Sequence, residues 1–467
     1  MDTEGTEGTA FAGAAEQVRM MAAGLITSPE LVALYLDRIA RLDSSLNAYR
    51  VLRGDAARAE AIGAQRRLDA GERLPLLGVP IAIKDDVDVA GEVTAWGTAA
   101  YGPAKESDAE IVRMLRAAGA IVLGKTNVPE MTIWPFTESP TFGATRNPWD
   151  LSRSPGGSSG GTAAAVAAGL APLGLGSDGG GSIRTPATWC GLYGLKPQRE
   201  RVPLSPHDNG WHGLIVNGPL SRTVEDAALF LDATSTLPAP EGGFVAAASR
   251  TPNRLRIAIS TKSPLGPMVR AGAAQRNTVA QAAVLLRDLG HDVVDHELDY
   301  GGIAGGWNVT ARYLRGIHDD AATMPHPERL ETRTRRMARA GGLISDRQLA
   351  ALSARESALT SRVNAIFDDV DVVLTPGTAT GPPAVGAYQR RGALFTLNAA
   401  AARRSPFVAI FNATGQPAAV VPWGLDRDGM PMSVQLVGRP ADEATLLALS
   451  TQIESAHPWA DRRPLGF

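Results

Sequence analysis

The chain has 467 residues, 44% of them hydrophobic and 20% charged, with a formal net charge of −2 and a pI near 6.4. This composition is that of an ordinary globular protein, and the balanced charge excludes the basic face expected of a nucleic-acid binder. The single cysteine, Cys190, excludes a disulfide framework and a multi-cysteine zinc site. The acidic N-terminus and the lack of an apolar stretch of ~20 residues predict a cytoplasmic protein with no membrane span.

Residues 1–70 are predicted to be helical. Ser28-Pro29-Glu30 supplies an N-cap, a proline in the first turn and an early acid, directly before an amphipathic apolar repeat. A second helix is predicted from Ala56 to Leu68. The pattern then changes to a short apolar run, Val79 to Ile83, that ends at Lys84. Such a run is typical of a buried strand that carries polar groups to its tip.

Helix and strand patterns alternate along the rest of the chain. Asp108 to Ala118 predicts a helix and Ala120 to Leu123 the strand after it, and the alternation recurs from Leu255 to Leu298 and from Val370 to Leu374. This order indicates an α/β fold. The stretch from Leu237 to Asn253, rich in Pro, Ala, Gly and Ser, is predicted to be a surface connection between two lobes.

The densest chemical signal runs from Ser154 to Pro197. Three serines, Ser158, Ser159 and Ser182, are embedded in paired glycines, which let a backbone approach a ligand closely and point its N–H groups inward. A flexible turn would explain any one of these clusters. Two such loops joined by an Ala-rich helix and a short strand form an ordered unit, however, which a flexible linker does not contain.

A dinucleotide-binding alternative comes from Gly174 to Gly179, which matches the GxGxxG pattern with Glu200 about twenty residues later. That fold needs a helix directly after the third glycine. The residues that follow include Gly180, Gly181 and Pro186 and leave no room for a helix of ordinary length. The serines are therefore the better candidates for function.

A serine nucleophile needs a base. All seven histidines follow the serine segment in the sequence, so position alone does not rule out a histidine base. However, no GxSxG elbow, the motif typical of a Ser-His-Asp hydrolase, surrounds Ser182. Lysine offers the sharper signal, because the chain has only five lysines among its 46 basic residues. Unlike arginine, a buried lysine can lose its proton, and Lys84 ends an apolar strand. The alternative is an ion pair of Lys84 with Asp85 or Asp86; beside the serine segment we favour the base.

Six segments together resemble the amidase signature family: GVPIAIKDDVDVAG, GKTNVPEM, TRNPWD, SPGGSSGGTAAAVAAG, GSDGGGSIRTPATWCGLYGLKP and GQPAAVVPWG. The match is dense from Leu77 to Arg201 and resumes near the C-terminus. The resemblance implies a triad of a lysine, a serine held through a cis peptide bond, and a nucleophilic serine 24 positions later. The matching residues are Lys84 as base, Ser158 as proton relay and Ser182 as nucleophile.

The resemblance also implies roles for the residues around the triad. The oxyanion hole would be formed by the N–H groups of Gly179, Gly180, Gly181 and Ser182. The loop would be supported by Ser159, Asp178 and Arg184. No metal or cofactor is required. Two departures from the family pattern are Gly179, where a larger residue is common, and QRERVP after LKP; neither touches the triad.

The implied fold is a central mixed β-sheet covered on both faces by helices. Residues 1–467 would form a single domain, with the signature core in 77–235 and the rest of the sheet in 254–467. The arginine-rich stretch 301–355 has few β-branched residues and is predicted to be a helical cap over the site.

Substrate identity is less defined by the sequence. The candidate pocket residues are apolar: Met131, Trp134, Phe136, Trp307 and Phe411. They favour a small-molecule acyl or aryl amide. A carbamate (urethane) or ester hydrolase with the same triad stays open, as does an amidotransferase subunit acting in a complex. A homodimer is also left open.

Overall fold

The computed structural model describes residues 3–207 and 210–467. Its strands within these ranges are β1 (Tyr49–Leu52), β2 (Pro80–Lys84), β3 (Ile121–Thr126), β4 (Glu138–Ser139), β5 (Gly143–Ala144), β6 (Leu173–Asp178), β7 (Tyr193–Lys196), β8 (Val216–Ser221), β9 (Arg256–Ile259), β10 (Asp292–Asp295), β11 (Val372–Pro376), β12 (Ala418–Leu425) and β13 (Pro431–Gly438).

The α-helices of the same ranges are α1 (Thr3–Phe11), α2 (Ala14–Ala22), α3 (Ser28–Leu46), α4 (Gly54–Asp69), α5 (Glu110–Ala117), α6 (Gly160–Ala167), α7 (Arg184–Cys190), α8 (Val224–Thr234), α9 (Gly243–Ala248), α10 (Ala273–Asp288), α11 (Gly302–Thr323), α12 (Thr332–Gly341), α13 (Asp346–Ala354), α14 (Glu356–Asn364), α15 (Ala393–Thr396), α16 (Ile410–Thr414) and α17 (Glu443–Ala456).

The main sheet has the strand order β1-β3-β2-β6-β8-β7-β12-β13-β11-β9-β10 among the described residues. β3, β2 and β6 are parallel neighbours, as are β11, β9 and β10, and the central pairs between these groups are antiparallel. The predicted α/β fold with a mixed sheet is confirmed. The parallel group at one end matters for function, because the carboxyl ends of β2 and β6 meet at the same edge.

Two groups of helices pack on the same strands. α6 and α7 form one group: they contact each other, α6 contacts β2, β6 and β8, and α7 contacts β7, β12 and β13. The helices α8, α9 and α17 form a second group on β7, β8, β12 and β13. Helices thus cover the sheet on both faces. α9 lies within the segment predicted to be a surface connection; it forms because Phe244 is buried against the core, under the Arg201 guanidinium.

Local capping explains where α3 begins. The N-cap is Thr27 rather than the predicted Ser28: the Thr27 hydroxyl accepts the Glu30 N–H at 3.3 Å, and the Glu30 carboxylate accepts the Thr27 N–H at 2.8 Å. This reciprocal pair is a capping box. Glu30 therefore stands at the third helical position of a cap one residue earlier than the sequence suggested.

Residues 301–355 contain the helices α11, α12 and α13. α11 and α12 pack on each other, and their apolar side chains join Trp134 and Trp211 in a second buried cluster that includes Ile317 and Met337. This cluster lies beside the site rather than in the main core. None of the helices described combines the length and the apolar character that a membrane crossing requires.

Candidate active site

Three neighbouring segments carry the predicted catalytic residues. Lys84 is the last residue of β2, Ser158 lies two residues before α6, and Ser182 lies in the loop between β6 and α7. In the parallel pair β2–β6, Ile83 stands opposite Leu175, so both strands deliver their ends to one edge of the sheet. The glycine-rich loops of the sequence meet the predicted base at that edge.

The Lys84 side chain is fully buried among polar groups. Its Nζ lies 2.8 Å from Ser158 Oγ, 2.6 Å from Ser177 Oγ and 3.1 Å from Asp86 Oδ2. Burial lowers the pKa of Lys84, and the carboxylates of Asp86 and Asp178 oppose this effect without reversing it. A lysine with a lowered pKa can accept a proton at moderate pH.

The two aspartates after Lys84 have different partners. Asp85 binds the Arg50 guanidinium at 2.5 Å and Lys125 Nζ at 2.9 Å. Of the two carboxylates, Asp86 is the one that contacts Lys84, and it also accepts the Ser177 hydroxyl at 2.5 Å. The ion pair and the contact with Ser158 therefore coexist, and the two interpretations of Lys84 do not exclude each other.

Ser158 and Ser159 connect the loops around the lysine. The Gly157–Ser158 peptide bond is cis, which is the geometry that the resemblance implies, and Ser158 is buried. The Ser159 N–H donates to the Ser182 carbonyl at 3.1 Å, and the Ser159 hydroxyl donates to the Ser177 carbonyl at 3.2 Å. Ser159 thus ties both glycine-rich loops to the end of β6.

Asp178 organises the loop that carries Ser182. Its Oδ1 accepts the Gly181 N–H at 2.6 Å and its Oδ2 accepts the Ile183 N–H at 3.1 Å, while the Arg184 guanidinium binds both oxygens at 3.0 Å. Burial alone would raise the pKa of Asp178, but Arg184 and the other donors outweigh it and hold the pKa well below the usual range. The loop is therefore built around an Asp178 carboxylate that stays ionised.

Asn412 of α16 completes this network and was missed by the sequence reasoning. Its Nδ2 donates to the Asp178 carbonyl at 2.7 Å and to Asp178 Oδ1 at 2.9 Å, and its Oδ1 accepts from Arg184 at 2.7 Å. Gln435 of β13 accepts a further Arg184 N–H at 3.0 Å. Both residues lie more than 220 positions after Asp178, and their local sequence carries no motif that would have identified them.

The predicted oxyanion loop, residues 179–182, lines a cavity. Within residues 3–207 and 210–467, the N–H groups of Gly179, Gly180 and Ser182 have no protein acceptor. Gly181 needs a correction: its N–H already donates to Asp178, so it is not free to bind an oxyanion. Gly181 instead serves the turn itself, since its φ is +113° and an added Cβ would lie 2.4 Å from Val408.

A cavity of about 690 Å³ is lined by Ser182 and extends along α11. Its walls come from the oxyanion loop, from α11 and from the segments around 264–268 and 394–410. The described lining residues include no Asp, Glu, Lys, Arg or His. Their apolar side chains include Trp134, Trp211, Leu397 and Ile410, so the cavity suits an uncharged ligand.

Of the five predicted pocket residues, the structure places Trp134 in the lining and the other four outside it. Phe136 stacks on Trp134 with ring centroids 6.0 Å apart, and Phe411 packs against Tyr300 of the lining at 6.4 Å. These phenylalanines form a second layer behind a lining aromatic ring. Met131 is fully buried, and Trp307 is half exposed on α11. Aromatic character alone did not distinguish wall from core.

A buried lysine in contact with a serine, beside a glycine-rich loop that opens onto a cavity, is the arrangement expected of a serine hydrolase that uses no histidine. Among the described residues, no group of three or more His, Cys, Asp or Glu side chains is placed to hold a metal ion. Residues 30–447 match the sequence model of the Amidase family, and the chain belongs to this family. The predictions of an amidase-signature enzyme and of amide C–N hydrolysis are confirmed.

The similarity to known proteins extends over nearly the whole chain. "Putative amidase AmiB2" of Mycobacterium tuberculosis is 66% identical over 455 residues, which cover 97% of this chain and 98% of that protein. A solved structure of 6-aminohexanoate cyclic dimer hydrolase complexed with substrate is 30% identical, with a TM-score of 0.89, and the match covers 98% of this chain and 99% of that one. A bacterial aryl acylamidase of the amidase signature family is 26% identical, with a TM-score of 0.86 over 97% of this chain and 99% of the other.

Proposed function

We propose that this amidase hydrolyses uncharged, largely apolar acyl or aryl amides through a covalent acyl-Ser182 intermediate. Lys84 is the base, Ser158 relays protons, and Ser182 is the nucleophile. The observation that carries this proposal is the 2.8 Å contact between Lys84 Nζ and Ser158 Oγ, on a fully buried lysine at the edge where Ser182 meets the cavity.

The hydrogen bonds around Lys84 support the role of a base. Ser177 donates its own hydroxyl proton to Asp86, so its Oγ is left to accept an N–H from Lys84 at 2.6 Å. A second N–H of Lys84 has two acceptors within reach, Asp86 Oδ2 at 3.1 Å and the Ser177 carbonyl oxygen at 3.3 Å. A neutral amine has two N–H groups and one lone pair. With both N–H groups engaged, the lone pair is left for the Ser158 hydroxyl.

The reaction then follows in two halves. Ser182 Oγ attacks the amide carbonyl carbon while its proton moves to Ser158 and the Ser158 proton moves to Lys84. The C–N bond breaks, and the leaving amine takes up a proton returned through Ser158. Water attacks the acyl ester by the same relay, which releases the carboxylic acid and restores Ser182. Each half ends with Lys84 neutral.

The N–H groups of Gly179, Gly180 and Ser182 are the candidates for stabilising the oxyanion of the tetrahedral intermediate. They lack protein acceptors within the described residues, and the network of Asp178 and Arg184 fixes the loop that carries them. Donors that are already in place need no reorganisation as charge develops on the carbonyl oxygen. Loss of one such donor costs about 10²–10³ in kcat in other serine hydrolases.

The substrate class follows from the cavity. Its described walls present no charged side chain, and a volume of about 690 Å³ accommodates a small molecule with an apolar acyl or aryl group. The names of two similar solved structures, a 6-aminohexanoate cyclic dimer hydrolase and an aryl acylamidase, agree with an amide substrate. A carbamate presents the same carbonyl to Ser182 and is the second substrate class to test. The cytoplasmic location and the homodimer stay predictions.

The test is a panel of chromogenic anilides, carbamates and esters given to the isolated chain. We expect turnover of uncharged anilides without any partner protein, labelling of Ser182 by a fluorophosphonate, and no loss of activity in chelator. Activity that appears only after a partner is added would instead support an amidotransferase subunit. A preference for aryl carbamates over matched anilides would change the substrate class but leave the triad in place.

A further inference from the structure

The wall of the cavity beside the oxyanion loop is formed by Trp211. This residue lines the cavity next to Gly179, and only 5% of its surface is exposed. It comes from the segment between β7 and β8, not from the loop that carries the nucleophile. The side of the cavity nearest to the candidate oxyanion hole is thus closed by a residue that no sequence motif pointed to.

Two glycines make room for this indole. A Cβ added to Gly179 would lie 2.8 Å from Trp211 Cε3, and a Cβ added to Gly316 of α11 would lie 2.4 Å from Trp211 Cδ1. Both distances are shorter than any ordinary carbon–carbon contact. The ring is therefore held between the loop 179–182 on one side and α11 on the other, and a methyl group at either glycine would require the indole to shift.

The indole is also fixed at its edge. Its N–H donates to Asp320 Oδ2 at 2.7 Å, and the Tyr313 ring meets it edge to face with centroids 5.0 Å apart. Asp320 and Gly316 are both on α11, four residues and one helical turn apart. A large rigid side chain with its polar group satisfied makes a wall of constant position, unlike a flexible aliphatic side chain.

We infer that Trp211 is a specificity-determining residue, whose indole limits the size of the substrate group that fits beside the oxyanion loop, and that Asp320 is its positioning residue. The inference rests on the proposed function, since it assumes that the scissile amide is bound at Ser182. Because the indole is packed against Gly179, its removal opens space directly beside the reacting carbonyl. It leaves Lys84, Ser158 and Ser182 untouched.

The experiment compares ratios of kcat/KM in two substrate series. One series varies the acyl group (4-nitroacetanilide against 4'-nitrobenzanilide), and the other varies the amine (acetanilide against N-acetyl-1-naphthylamine). Trp211→Ala should raise the ratio of bulky to small substrate by about tenfold or more in at least one series, the size of effect that pocket shape has on apolar groups. As a control, Trp307→Ala removes a half-exposed tryptophan of α11, the helix that carries Asp320, and should leave both ratios unchanged.

The contact with Gly179 gives a second test that needs no turnover. Gly179→Ala should lower the free energy of unfolding, because its methyl group meets the indole at 2.8 Å and Ile215 Cγ1 at 3.1 Å. Trp211→Ala should remove the part of that cost that comes from the indole. Gly180→Ala adds the same methyl where the nearest atom is 3.9 Å away, and Trp211→Ala should not change its effect. Asp320→Leu removes the acceptor of the indole N–H and should give part of the change in the kcat/KM ratio that Trp211→Ala gives. Asp320→Asn keeps an acceptor and should leave that ratio at the wild-type value.

These outcomes separate the inference from the proposed function. Ratios within twofold of wild type in both series, with additive effects of Gly179→Ala and Trp211→Ala on unfolding, would overturn the role of Trp211. A wild-type protein that turns over no anilide would contradict the amide assignment instead. In that case the ratio is measured with 4-nitrophenyl acetate and 4-nitrophenyl benzoate, which report on the same cavity through acylation of Ser182.

Discussion

Two buried lysines lie near the ends of neighbouring strands, and they have different surroundings. Lys84 ends β2, and Lys125 lies near the end of β3, one register position away. Both side chains are fully buried, and burial lowers the pKa of both. Lys125 Nζ lies 2.9 Å from Asp85, which also binds the Arg50 guanidinium, and 2.7 Å from Thr94 Oγ1.

Lys84, by contrast, contacts the hydroxyls of Ser158 and Ser177 and the Asp86 carboxylate, and it lies at the end of β2 where the glycine-rich loops meet. Burial and a lowered pKa are therefore shared features that do not identify a base. Their partners differ: Lys125 shares the Asp85 carboxylate with Arg50, whereas Lys84 contacts the Ser158 hydroxyl. On this difference we propose Lys84, not Lys125, as the base.

The largest expected effect comes from replacing each lysine by methionine. Lys125→Met leaves the buried Asp85 carboxylate short of a cation, and Lys84→Met leaves the buried Asp86 carboxylate short of an N–H donor. Both changes should lower the free energy of unfolding, by about 2–5 kcal/mol. Only Lys84→Met should abolish catalysis, with kcat/KM on an anilide reduced by about 10³-fold or more per folded molecule. Urea denaturation gives the folded fraction and steady-state kinetics the activity. Equal activity losses in the two variants would break the distinction.

A smaller effect is expected for Ser177, which we interpret as a positioning residue for Lys84. Ser177→Ala removes the acceptor at 2.6 Å and the hydroxyl that joins Lys84 to Asp86, so the lone pair is no longer directed at Ser158. We expect kcat to fall by about 10- to 100-fold with KM little changed. Ser177→Thr keeps the hydroxyl and should recover most of kcat. A rise in KM alone, with kcat unchanged, would rule out this role.

The smallest effect is a shift in pH dependence. Because Lys84 must be neutral to accept a proton, kcat/KM should rise with pH through a single ionisation. The Asp86 carboxylate favours the charged ammonium and so raises the pKa of Lys84 against the effect of burial. Asp86→Asn removes that influence, and the rise in kcat/KM should move to lower pH. A rise that stays in place, or moves to higher pH, would show that Lys84 is not the titrating base.

Much of the fold and the neighbourhood of Lys84 and Ser158 could be predicted from sequence. The strand that ends at Lys84 shows as an apolar run, and the loops around Ser158 and Ser182 are marked by paired glycines, because these features are local. Residues that act across the fold could not be found in this way. Asn412 and Gln435 reach Arg184 from α16 and β13, and their contacts depend on how distant strands and helices are ordered in space.

The substrate pocket was the least predictable part, for a physical reason. An aromatic side chain lowers the free energy by burial whether it faces a cavity or the core, so composition does not separate Trp134, in the wall, from Phe136 behind it. Trp211 escaped notice because its neighbours in sequence carry no pattern. The glycines that make room for it, Gly179 and Gly316, are more than 130 residues apart.

The most direct test of the central claim is mass spectrometry of the intact serine variants after exposure to an activated ester. The account predicts a single acyl adduct on Ser182 in the wild type and in Ser158→Ala, because a good leaving group needs little protonation, and no adduct in Ser182→Ala. Ser158→Ala should also lose far more rate on an amide than on the matched ester. An adduct on Ser158 in Ser182→Ala that turns over at the wild-type rate would contradict the assignment of the two serines.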